Sequence, residues 1–127
     1  MQEQALVQKE ESLRTPARPP IDDALITEIT RRIVEGVNPL RVIMFGSRAR
    51  GDFDNDSDID IFVEMETEDT PVERRLKVRK LFRDRWWPMD ILVYTPDEVR
   101  ARENSLASIV PLILAEGKTL YEQNSRS

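Results

Sequence analysis

The chain has 127 residues, of which 34% are charged and 39% hydrophobic, with a formal net charge of −5. Cysteine and histidine are both absent, which excludes disulfides, thiolate nucleophiles, sulfur-ligated zinc and every mechanism that turns on an imidazole base. The acidic balance argues against a grip on nucleic acid through bulk positive charge, and no apolar run approaches the ~20 residues of a membrane span.

Met1-Gln2-Glu3-Gln4 lacks the basic and apolar regions of a secretory leader, so the cytoplasm is the expected compartment. Residues 1–20 are polar and end in Thr15-Pro16-Ala17-Arg18-Pro19-Pro20, a proline-rich linker that cannot extend a helix. One domain is expected over residues 21–122, with 123–127 as a C-terminal tail. Asp22 offers a helix cap, and Leu25, Ile26, Ile29, Ile33 and Val37 recur at helical spacing until Asn38-Pro39. Leu40 to Phe45 is a short apolar run ending at Gly46, the pattern of a buried strand.

A polar loop follows, then a second strand over Ser57–Glu64. Thr70-Pro71-Val72-Glu73 combines a cap, a first-turn proline and a reciprocal glutamate, which predicts a helix running to about Arg85. Trp86-Trp87-Pro88 leads into a third strand, Met89–Tyr94, and Thr95-Pro96-Asp97-Glu98 repeats the helix-start device. A last apolar helix is expected over Leu106–Ala115, bent or begun at Pro111 and stopped by Gly117, before a short edge strand at Lys118–Tyr121. Strands separated by helices predict an α/β (α+β) domain.

The segment from Gly46 to Asp60 carries the chemistry. Gly46 and Gly51 have P-loop spacing, but Asp52 and Phe53 stand where that loop needs Lys and Ser or Thr. A calcium loop begun at Asp52 needs Gly at Ser57 and Glu at Val63, and one begun at Asp54 fails at Ile59 and Met65. What remains is Gly46-Ser47 directly after a strand, then Asp58-Ile59-Asp60 on another. Strand alternation puts Asp58 and Asp60 on one side and Ile59 and Ile61 in the core. Asp90, between Met89 and Ile91, joins them if its strand is a sheet neighbour. Such an all-oxygen set suits Mg²⁺ or Mn²⁺, and two ions about 3.5–4 Å apart can clamp an in-line phosphoryl displacement. Gly46 allows close backbone approach, and Ser47 adds a hydroxyl; with no histidine to activate it, Ser47 reads as a phosphate contact.

These residues resemble the minimal, MNT-type nucleotidyltransferases of the DNA polymerase β-like superfamily. The resemblance rests on Gly46-Ser47, Ala49-Arg50-Gly51, Ser57-Asp58-Ile59-Asp60, Asp90 in Met89-Asp90-Ile91-Leu92-Val93, and the weaker Glu116-Gly117-Lys118-Thr119-Leu120-Tyr121. It implies a small mixed β-sheet with helices on one face and the site on the other. It also implies transfer of a nucleoside monophosphate from a triphosphate, usually ATP, to a hydroxyl. On this resemblance Asp58, Asp60 and Asp90 are catalytic and bind two Mg²⁺ ions, with Asp90 helping to activate the acceptor. Gly46 and Ser47 hold the triphosphate together with Arg48 and Arg50, whose alternative role is to brace the loop. Family members of this size resemble antitoxins that adenylylate a tyrosine of a HEPN-type toxin, so the expected partner is such a toxin or a second copy of the chain. A nucleotide-binding antitoxin without turnover and an antibiotic-modifying transferase are the alternatives.

Other patterns have plainer readings. The basic run from Arg74 to Arg85 reads as a solvated helix face, or else as a contact for a partner or acceptor. Trp86 and Trp87 read as core anchors, although alternation would put Trp86 on the side of Asp90, where it could stack on a base. The run from Leu106 to Leu114 reads mostly as core, with part of it an exposed patch.

Overall fold

A computed structural model describes residues 20–123. The tails expected over 1–20 and 123–127 lie outside it except for Pro20 and Gln123.

Helix α1 spans Asp23–Val37; the Asp22 carboxylate accepts the Leu25 N–H, and Asn38 ends the helix in the left-handed region at φ 48°. Strand β1 is Arg41–Phe45. The loop after it opens with a one-turn helix, α2, Ser47–Arg50, where only irregular chain was expected. Strand β2 is Ile59–Glu64, one residue short of including Asp58. Helix α3, Pro71–Arg79, starts with the anticipated Thr70/Glu73 capping box but tightens into a 3₁₀ turn at Lys80–Phe82. Strand β3 is Met89–Tyr94, and α4, Pro96–Arg102, has its own Thr95/Glu98 box. Helix α5 is Val110–Glu116 and strand β4 is Lys118–Glu122.

The last helix is therefore shorter than its apolar run. Ser105 and Ser108 accept the N–H groups of Ala107 and Val110, which diverts the backbone into turns before Pro111. Leu106 is left fully exposed.

The strands form one mixed sheet in the order β3-β2-β1-β4. β1 runs antiparallel to β2 and β4, while β2 and β3 are parallel. A parallel pair needs a crossover, and α3 supplies it, carrying the chain from the end of β2 back to the start of β3. Helices α1 and α3 cover one face of the sheet, burying Ile29, Ile33 and Val78 against Val42, Ile59, Ile61, Ile91 and Val93. That is the helix layer expected from the sequence. The opposite face is partly roofed as well: Val99 of α4 and Val110 and Ile113 of α5 pack on Ile43, Phe45 and Phe62. Asp60 and Asp90 share that second face by alternation. No helix among the described residues is long and apolar enough to cross a membrane.

Candidate active site

The register of the two parallel strands brings the acidic residues together. Asp60 of β2 is the direct partner of Asp90 of β3, and on its other side it faces Phe45 of β1. Asp58 lies exposed two residues before Asp60, just where the Ile59 N–H donates to the Pro88 carbonyl and starts the ladder. Asp90 is exposed on a strand that forms one edge of the sheet.

The charges sense one another. Burial, then the negative charges of Asp90 and Asp58, push the Asp60 carboxyl up to about 6, and the Arg50 guanidinium works against them. Mutual repulsion of this kind is unmet demand for positive charge. Two unit charges ~4 Å apart repel by roughly 4 kcal/mol at an effective dielectric of 20. Among the described residues no three acidic side chains stand in ready-made ligating geometry. The fit to a divalent cation therefore rests on donor chemistry, register and charge: three carboxylates and no softer ligand.

Gly46 is built against Asp60. Its φ is +77°, a region that side chains other than glycine rarely adopt, and a β-carbon there would overlap the Asp60 Oδ2. The turn hands the chain directly to Ser47, the first residue of α2. Gly51, φ +94°, ends that turn with open space around it.

The two arginines of α2 divide their roles. Arg48 donates from Nε to the Ser57 carbonyl at 3.1 Å and from a terminal nitrogen to the Asp54 carbonyl at 3.2 Å. Its guanidinium also lies 4.6 Å from the centre of the Phe53 ring. This is the bracing alternative: Arg48 spends its donors inside the loop. Arg50 instead lies half-exposed, 3.4 Å from Asp52 and 3.8 Å from Glu116, and its charge reaches Asp60. Glu116 was not singled out as a partner of Arg50. Its signal in the sequence was its place at the head of the weaker motif Glu116-Gly117-Lys118-Thr119-Leu120-Tyr121.

Trp86 does not share the side of Asp90. Pro88 breaks the chain before β3, so strand alternation never reaches it. It packs on the helix-covered core, edge-to-face with Trp87 at 5.5 Å. With Ile21, Arg48 and Phe53 it lines a cavity of about 420 Å³ behind the loop.

A mixed sheet carries a glycine-serine turn at the end of β1, beside carboxylates on two parallel neighbours. The sequence model of the Nucleotidyltransferase domain family matches residues 26–86. A solved structure of a candidate nucleotidyltransferase from Sulfolobus solfataricus is 25% identical, covers 80% of this chain and 81% of its own, and superposes with a TM-score of 0.58. A toxin-antitoxin structure with AMP-PNP is 22% identical over 76% of this chain and 73% of that one, with a TM-score of 0.54. A mutant of the toxin-antitoxin pair MntA-HpeT is 19% identical over 76% and 72%, with a TM-score of 0.52. No curated protein matches the chain. Residues 26–86 thus match a nucleotidyltransferase domain, and the chain shares the fold of these solved structures, which supports a transferase.

Proposed function

We propose that the chain transfers AMP from ATP to a tyrosine hydroxyl of a HEPN-type toxin and so acts as its antitoxin. The observation that carries this reading is the direct pairing of Asp60 with Asp90, with Asp58 two residues ahead and Gly46 packed against Asp60. The antitoxin role draws on the two toxin-antitoxin structures that share the fold. One holds AMP-PNP, and the other carries glutamates in place of two aspartates two positions apart.

In this reading Asp58, Asp60 and Asp90 would hold two Mg²⁺ ions, which supply charge for the attacking and leaving oxygens. The Gly46 turn and the Ser47 hydroxyl hold phosphate oxygens, and Arg50 adds positive charge beside them. Asp90, exposed at the sheet edge, takes the proton of the acceptor hydroxyl. The acceptor oxygen bonds to the α-phosphorus, the bond to the bridging oxygen breaks, and pyrophosphate leaves.

The test is intact mass of candidate HEPN-type partner proteins after reaction with this chain, ATP and Mg²⁺. Added adenylyl units with wild type, and none with Asp58→Asn/Asp60→Asn, support the proposal. Equal addition by both ends it. If Asp58→Asn neutralises the toxin as well as wild type, binding alone accounts for the antitoxin effect.

A further inference from the structure

The outer side of α3 sets exposed cations beside exposed aliphatic side chains. Arg74, Val78 and Phe82 turn inward, while Val72, Leu76, Arg79 and Arg83 recur at helical spacing on the opposite side, flanked by Arg75 and Lys80. Val72 and Leu76 are 58% and 50% exposed. None of the four cations has an ion-pair partner among the described residues. Among the other described cations, Arg31, Arg32, Arg41, Arg50, Arg74, Lys77 and Arg100 have one, and Arg48, Arg85, Arg102 and Lys118 do not. A solvated helix face ordinarily interleaves both signs of charge and carries no aliphatic ridge.

Helix α3 is the crossover between the parallel strands and leads to the start of β3, while its outer side turns away from the sheet face that carries Asp60 and Asp90. β3 is an edge strand, so the stripe and Asp90 lie on opposite faces of one sheet edge, and only a partner large enough to wrap that edge touches both.

We infer that this stripe is the docking surface for a protein whose face carries carboxylates around exposed aliphatic side chains. The inference rests on the proposed function only in taking that protein to be the acceptor. Charge complementarity selects the partner. Four unpaired cations attract an acidic face, and Val72 and Leu76 give it an apolar centre to desolvate. An RNA has no use for those two side chains, and a chain of net charge −5 repels a polyanion everywhere else.

The probes are two fluorescein-labelled amphipathic helical peptides, one patterned Glu/Leu and one Lys/Leu, and a 20-nucleotide single-stranded RNA. Binding is read by anisotropy at low and high salt. The full chain binds the Glu/Leu peptide and not its Lys/Leu counterpart, and the affinity weakens with salt. Arg79→Glu/Arg83→Glu lowers that affinity by about tenfold or more. Leu76→Ser weakens the peptide and leaves any RNA binding unchanged. All these positions are exposed, and ATP binding by the variants serves as the check that fold and site are intact. Absence of peptide binding, equal binding of both peptides, indifference to the charge reversal, or displacement of the peptide by RNA would each overturn the inference. None of these results bears on transfer by the carboxylate site, which is read separately by the mass assay.

Discussion

Gly46 and Asp60 are in contact across the start of the loop, so close that a side chain on the glycine would occupy the place of the Asp60 carboxylate oxygen. The glycine is therefore required twice, by its positive φ and by its neighbour. Gly46→Ala is expected to turn Asp60 out of register with Asp90 and to lower transfer by about a hundredfold, the scale for a displaced reacting group. Backbone strain adds a stability loss of about 1–3 kcal/mol. Gly51→Ala, with a similar φ but open space, carries strain alone and keeps its activity. Urea unfolding and transfer assays on the pair separate the two effects.

The raised Asp60 carboxyl sets a pH dependence in the metal-free protein. Its folded value of about 6 exceeds the ordinary 3.8, so between these values the folded state holds more protons than the unfolded one. Stability from this group is therefore undiminished below pH 3.8, falls as pH rises toward 6, and stays reduced above it. Asp60→Asn removes that fall, so the variant gains on wild type across this window. Denaturant midpoints of the two proteins from pH 3.5 to pH 7 measure the difference, with ~10 mM Mg²⁺ expected to stabilise wild type alone at neutral pH.

Arg50 and Arg48 are separable by substitution. Arg50→Gln is expected to raise KM for ATP by about tenfold, the loss of one charge-assisted contact. It should also push the Asp60 carboxyl further up, because the Arg50 charge now holds it down. Arg48→Gln frees the Ser57 and Asp54 carbonyls and loosens the loop. Its effect is read mainly as faster hydrogen exchange over residues 52–58.

Arg74 is a structural staple at the far end of β3. It is 4% exposed, donates to the Val93 carbonyl at 3.1 Å and pairs with Glu98 of the α4 capping box. Arg74→Ala leaves Glu98 without its cation and an empty space under α3, at a cost of about 3–5 kcal/mol in urea unfolding. Arg74→Met restores most of the volume and costs less. Neither changes KM for ATP, since Asp90 lies three positions back along the strand from Val93.

Much of this arrangement was legible from local rules. The capping boxes at Thr70 and Thr95 and the alternation around Asp60 and Asp90 act within a few residues and survive folding unchanged. The Asp60–Asp90 contact also needed the strands to be neighbours, which the intervening helix start supplied. What escaped was set by contacts distant in sequence or by competing turns. Arg48 and Arg50 look equivalent on one turn of helix, and only the return of the chain at Ser57 and Glu116 distinguishes them. Trp86 packs on the core as an anchor, as read, and only the alternative that put it on the side of Asp90 by alternation fails, because β3 begins after Pro88. Leu106 looked like core, but two serine hydroxyls ended the helix before reaching it.

The central claim is that Asp58, Asp60 and Asp90 together bind divalent cations for nucleotidyl transfer. The most direct measurement is titration of Mn²⁺ into the protein with a non-hydrolysable ATP analogue, read by calorimetry or by loss of the free-ion EPR signal. The account predicts about two ions per wild-type chain, with tight binding lost in both Asp60→Asn and Asp90→Asn while far-UV circular dichroism is unchanged. Binding of the same number of ions with the same affinity by wild type and both variants would contradict it.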